Sequence, residues 1–270
     1  MMKTMKKIIS FSLALMFLFA AEVSAQTEIM PIMDMNVNGL LGGVKDGKFV
    51  DAKTTFAQVK GKKSYSVYSA TDKTATLEIQ ITAPSEPCED FYRADPDLDY
   101  IEGVAVSTNP GWNLLPRATQ WMAPNNATYI KAASDALRTK GIINKAPKVR
   151  GLYRVDLEGD GQEEILIAAS SYDGDIQPRA KKGDYSFVLL RKIVGGKVRN
   201  IIVTGDFVTK KIDFGAPSEY RISSIIDLNG DGKMEIIIYG AYYEGRWIEA
   251  YEMKANKPAN IKALNAGCGV

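Results

Sequence analysis

The sequence predicts a mainly β protein built from four-stranded antiparallel meanders, with one short α-helix. Three observations carry this. One phrase occurs twice, seventy-one positions apart: Asp156-Leu157-Glu158-Gly159-Asp160-Gly161-Gln162-Glu163-Glu164-Ile165 returns as Asp227-Leu228-Asn229-Gly230-Asp231-Gly232-Lys233-Met234-Glu235-Ile236. Each copy lies between short apolar, β-branched runs bounded by Gly, Asn or Asp, the pattern of strands and turns. The clearest helical spacing is confined to Asn126–Lys140, where Tyr129, Ala133 and Leu137 recur on one face after an Asn and before Gly141.

From the N-terminus, residues 1–25 combine a basic start (Lys3, Lys6, Lys7), an apolar run from Ile8 to Ala21 and a Val23-Ser24-Ala25 end. That is the pattern of a secretory signal peptide. The run is short for a membrane span. The mature chain is therefore expected to begin at Gln26, to lack a membrane span, and to be periplasmic or extracellular. Without Lys3, Lys6, Lys7 and Glu22 it holds 31 basic and 31 acidic residues, a balance that argues against a nucleic-acid partner.

Residues 26–145 form a β-rich region. Leu40–Val44, Ser64–Ala70 and Thr76–Thr82 read as strands, with turns at 45–48 and 71–73 and a short helical piece over Ala52–Val59. This region is expected to be a degenerate sheet unit without metal. Residues 86–102 are acidic, and Asp95, Asp97 and Asp99 have alternate spacing. Pro96 and Tyr100 stand where a metal loop needs flexibility and glycine, so a solvated loop is expected rather than a third cation site. Trp112 and Trp121, flanking Pro116-Arg117, read as local core.

Residues 146–270 hold the repeats. Sliding 149–175 onto 220–246 matches Arg150, Asp156, Leu157, Gly159, Asp160, Gly161, Glu164, Ile165, Ile167, Tyr172 and Gly174. Both copies continue into third strands (Tyr185–Ile193, Trp247–Met253) and, after turn signals, into fourth strands (Val198–Thr204, Ile261–Leu264).

In each loop, oxygen-bearing side chains at positions 1, 3, 5 and 9 suit a hard cation such as Ca2+, which takes six to eight oxygens. The first set is Asp156, Glu158, Asp160 and Glu164 with the carbonyl of Gln162. The second is Asp227, Asn229, Asp231 and Glu235 with the carbonyl of Lys233. Two calcium ions are thus expected. The helical calcium loop needs a Glu at position 12, where this chain has Ile167 and Ile238, so each loop joins two strands. A plain polar hairpin turn is the alternative.

Asp-x-Asn-Gly-Asp-Gly-x-x-Glu between two strands resembles the FG-GAP and VCBS-type repeats of calcium-bearing β-propeller blades. The resemblance spans about residues 149–264 and implies propeller blades with metal at the positions just given. A full seven-blade ring would need a far longer chain, so an incomplete or small propeller is expected.

Cys88 and Cys268 are the only cysteines. In an exported chain an even pair reads as a disulfide, with two buried free thiols as the alternative. The absence of histidine removes Ser-His-Asp and Cys-His catalysis and His-ligated zinc. Two classes remain. One is a non-catalytic calcium-binding module for a protein or glycan partner, with Tyr239, Tyr242, Tyr243, Arg246 and Trp247 as its surface; the alternative is that alternate members of that run are sheet core. The other is a carboxylate-based hydrolase acting on a glycan.

Overall fold

The computed structural model describes residues 28–98, 101–174 and 176–269. The expected signal peptide and Asp99 of the acidic segment lie outside them. The N-terminal part consists of β1 (Met30–Asp34), β2 (Gly39–Lys45), β3 (Lys48–Asp51), α1 (Ala52–Gln58), β4 (Lys63–Tyr68), β5 (Lys73–Thr82), β6 (Arg93–Pro96) and β7 (Val104–Ser107). The strands follow the order β1-β7-β4-β5-β6-β2, and β1 pairs again with β2, so six antiparallel strands close on themselves; β3 extends beyond β2. The region is therefore a barrel, which corrects the expectation of a degenerate sheet unit. Part of the acidic segment is also not loop, because Arg93–Pro96 pairs with β5.

Alternation explains the barrel. Leu77, Ile79 and Ile81 of β5 are buried and join Tyr65, Val67, Ala94 and Ala105 in one cluster. The intervening Glu78 and Gln80 are more exposed, as period-2 patterning requires. At the β2–β3 turn, Asp46 and Gly47 both adopt positive φ (51° and 70°), matching the two-residue turn that suits strand twist. Asp51 then caps α1 by accepting from Thr54 N at 2.8 Å.

The C-terminal part follows β8 (Gln120–Trp121) and α2 (Ala127–Thr139). Asn126 caps α2 by accepting from Thr128 N at 3.0 Å. The first meander is β9 (Val149–Val155), β10 (Glu164–Ser170), β11 (Tyr185–Val194) and β12 (Lys197–Phe207), with β8 added at its edge. The second is β13 (Glu219–Ile226), β14 (Glu235–Tyr242), β15 (Gly245–Lys254) and β16 (Lys257–Gly269). Both repeats form the four-stranded antiparallel meanders that the sequence predicts.

The meanders stack as layers. Leu166, Ala168, Val188 and Leu190 of the first face Ile222, Ile225, Ile236 and Ile238 of the second. Ile237, Ile248, Ala250, Ile261 and Leu264 on the second meander's other face pack on Ile32, Leu41, Val44, Val104 and Val106 of the barrel. Ile165, Ile167, Ala169 and Phe187 on the first meander's outer face are covered by Ala133, Ala136 and Leu137 of α2. Double burial is why β10 and β14 read as continuous apolar runs. The Cys88–Cys268 disulfide, with Cα atoms 5.7 Å apart, fastens the end of β16 to the segment before β6.

Candidate functional site

The two repeat loops join β9 to β10 and β13 to β14, at one edge of the stack. Each is anchored by a leucine at its second position. Leu157 and Leu228 are both fully buried, worth about 1.5–3 kcal/mol apiece in removed apolar surface. The loop backbones curl around the first aspartate in both copies. Asp156 accepts from Gly159 N (2.7 Å) and Gly161 N (3.0 Å), and Asp227 from Gly230 N (2.7 Å) and Gly232 N (2.9 Å). The glycines make this possible: Gly161 and Gly232 have φ of 82° and 80°, a region open to residues without a Cβ.

The last acid closes each loop. Glu164 accepts from Leu157 N at 3.0 Å and Glu235 from Leu228 N at 2.7 Å. At position 5, Asp160 and Asp231 each accept from the amide two residues on, Gln162 N and Lys233 N, at 2.8 Å. The side chains of Gln162 and Lys233 are exposed, and that of Gln162 donates to Asp160 Oδ2 at 3.4 Å. Position 3 differs. Asn229 accepts from Asp231 N at 3.1 Å, whereas Glu158 turns away to the ammonium of Lys192 on β11.

Electrostatics divide the loops further. Asp227 and Glu235 are 2% and 1% exposed. Burial pushes the Glu235 carboxyl up to about 9, and the charges of Asp227, Asp231 and Glu252 add to the shift against the opposing Leu228 amide. Burial also raises Asp227. Glu164 is raised by burial too, but the Leu157 amide and the Lys192 ammonium oppose it. Among the described residues, no ion pair reaches Asp227, Asp231 or Glu235, and no three acidic, His or Cys side chains stand arranged to hold a metal. The second loop's candidate donors are all oxygen, the atom type that a hard cation takes, and a cation there would relieve the mutual repulsion of its carboxylates.

A strap over residues 112–117 ties the loops together. Trp112 Nε1 donates to the Asp227 carbonyl at 3.0 Å, and its ring lies against Gly230, where a Cβ would come within 2.9 Å. Arg117 donates to the carbonyls of Asp156, Leu157 (3.2 Å) and Gly232 (2.7 Å), so one guanidinium spans both loops. Met234 N also donates to the Leu157 carbonyl at 2.9 Å. Trp112 is local packing, as the sequence suggests; Trp121 instead lies 59% exposed on edge strand β8. Neither Arg117 nor Lys192 was expected to meet the loops. Lys192 follows Arg191 in a run whose other members, Val188–Leu190 and Ile193, are apolar, and a charge in such a run is the sequence signal for a partner.

The aromatic residues of the second repeat lie elsewhere. Tyr242 and Tyr243 form the β14–β15 turn, separated from the loop by the whole of β14, about 23 Å at 3.3 Å per residue. The sequence placed this cluster just beyond the loop; the antiparallel strand carries it to the opposite edge. Trp247 packs flat on Gly240, where a Cβ would come within 2.3 Å of the ring, and meets Tyr220 edge-on at 5.8 Å. Trp247 is thus structural. Tyr239 is half-buried beneath Arg221, whose guanidinium carbon sits 4.2 Å from the ring centroid. Tyr239, Tyr242 and Tyr243 separate two clefts of about 630 and 620 Å3. Arg246, Arg93, Glu244 and the disulfide border the first cleft, and Glu219 with Pro178 borders the second. No helix among the described residues is long and apolar enough to cross a membrane. No protein-family model, curated protein or solved structure matches the chain.

Proposed function

We propose that the protein is an exported, non-catalytic β-repeat module, ordered by calcium at its repeat loops and binding a protein or glycan with the clefts beside Tyr242 and Tyr243. The observation that carries the calcium reading is the second loop. It buries Asp227 and Glu235, whose carboxylates accept only from backbone N–H groups of the loop, and no ion pair reaches either carboxylate among the described residues. Export is supported by the N-terminal sequence and by the disulfide, a bond that persists in oxidising compartments. The hydrolase reading is weaker, because a general acid is tuned by burial whereas Glu86 and Glu244, which border the larger cleft, are exposed.

Extracellular calcium modules bind at about 10⁻⁴ to 10⁻³ M. Calcium at about 100 times the dissociation constant should stabilise the fold by about 2.7 kcal/mol per occupied site, or roughly 5–10 °C in melting temperature for a chain of this size. The mature protein melted in calcium and in chelator tests this; equal melting temperatures would sink the calcium reading. For the clefts, Tyr242→Ala with Tyr243→Ala should abolish capture of protein or glycan ligands by protein that still melts cooperatively, at a lower temperature because Tyr242 packs on Trp247.

A further inference from the structure

The two loops are alike in sequence but not in their charge partners, and the difference lies on a strand that sliding one repeat along the other does not align. Ile165 of β10 pairs with Arg191, and the corresponding Ile236 of β14 pairs with Tyr251. The first repeat's connection between these strands is therefore eleven residues longer. One step further along each ladder, Lys192 stands across from Glu164 and Glu252 stands across from Glu235. At one register position the first repeat has a cation and the second an anion.

Lys192 is 4% exposed. Its ammonium pairs with Glu158 and lies 3.8 Å from Glu164 Oε1, two of the four acidic candidate ligands in the first loop. A buried ammonium is costly unless paired, and so are buried carboxylates. Here each meets the other's need. The Glu158 side chain is one methylene longer than that of Asn229 in the second loop, and that length is what lets its carboxylate reach the strand. Glu252, by contrast, is paired at 2.5 Å with Lys254, whose side chain is 64% exposed, while its own is 24% exposed.

We infer that Lys192 serves as a built-in cation for the first loop, which therefore takes no divalent ion, and that the second loop alone binds calcium. The inference rests on the proposed calcium reading for the second loop only; the lysine's role in the first loop stands apart from it. The longer acid at position 3 and the lysine opposite position 9 act as a pair that replaces the metal. The first loop then holds its shape at any calcium concentration, while the second responds to it.

Counting bound ions by calorimetry with calcium, and independently by sensitised terbium luminescence, tests this on the mature protein. The wild type should bind one ion. Asp160→Ala, at an exposed position in the first loop, should leave that count unchanged, and Asp231→Ala should remove it. Lys192→Gln should bind one ion more than the wild type and should melt lower than the wild type in chelator, recovering in calcium. Loss of an ion in Asp160→Ala would overturn the inference while leaving calcium binding intact. A folded Lys192→Gln that gains no ion would overturn it whatever the wild type binds. A wild type that binds none, with a Lys192→Gln variant that binds one, would instead remove calcium from the second loop and keep the lysine's role. Should Lys192→Gln fail to fold, the Asp160→Ala and Asp231→Ala counts decide alone: one and none support the inference, and any other pair overturns it.

Discussion

Arg117 should hold the loop edge together, and its replacement by alanine is the most direct probe of that edge. Its guanidinium donates to three carbonyls on two loops: Asp156, Leu157 and Gly232. A hydrogen bond from a charged donor contributes about 1.5–3 kcal/mol when nothing replaces it. Two features reduce the sum. The Leu157 carbonyl keeps a second donor, Met234 N at 2.9 Å, and Arg117 is only half-buried, so water can reach the other carbonyls once the side chain is gone. The expected loss is about 2–3 kcal/mol, close to one strong charged bond rather than three. Urea denaturation reads it as a lower midpoint at unchanged slope. Arg117→Lys separates charge from geometry: an ammonium is a single point and cannot reach carbonyls on both loops as a planar fork does, so it should restore less than half of the loss. Amide exchange should quicken at both loops and not in the barrel. A change under about 0.5 kcal/mol in Arg117→Ala, within the range of an ordinary surface substitution, or full rescue by lysine, would refute the bridging role.

Two further outcomes follow from other parts of the stack. The Cys88–Cys268 bond closes a loop with a sequence separation of 180, so Cys88→Ser with Cys268→Ser should lower stability by up to about 5 kcal/mol through the unfolded chain; an equal denaturation midpoint for the serine pair would refute this. Asp34 is fully buried, and burial pushes its carboxyl up to about 6 despite hydrogen bonds from Asn36, Ser223 and Val37. The native state thus keeps a proton that the unfolded chain gives up near 3.8, so its contribution falls as pH rises between about 4 and 6, by about 3 kcal/mol in all, and stays low above. Asp34→Asn should remove this slope; a wild-type-minus-variant stability difference that is the same at pH 4 and pH 7 would exclude it.

The meanders were legible because their evidence is local. Paired turns, β-branched runs and a repeated loop fix β9–β12 and β13–β16 within about sixty residues each. The barrel was not, because it closes through short, distant pairings. β1 meets β7 at Met33–Ala105 and Asp34–Val104, and β2 meets β6 only at Gly39–Arg93. No periodicity along the chain announces a two-residue match seventy positions away. The acidic composition of 86–102 also hid β6, since Arg93 and Asp95 point outward and pair with each other at 2.9 Å while Ala94 alone faces the interior. At the loops, spacing revealed the candidate donors but not their counter-charge. The eleven-residue insertion before β11 moves Lys192 out of the alignment that relates the loops, so its contact is visible only once β10 and β11 are paired.

Stacking also explains why the repeat stops at two. Corresponding residues of the meanders face the same way: Ile165 and Ile167 point toward α2, and their counterparts Ile236 and Ile238 point toward the first meander. Such a head-to-tail stack always leaves one apolar face bare at each end, as in repeat proteins that need capping units. Here α2 covers one end and the barrel the other, where a propeller would continue with another blade. The same orientation puts both repeat loops at one edge, where Arg117 can span them, and both β10–β11 and β14–β15 connections at the other. The loop edge is fastened by buried leucines, a strap and paired charge. The opposite edge carries the long first connection and the Tyr242–Tyr243 turn, whose clefts lie open to solvent and outside the stacked core. The anchored loop at one end of β14 and the half-buried tyrosines at the other are separate consequences of a single antiparallel strand, so a cation bound in the second loop would reach the clefts only through the stability of the stack.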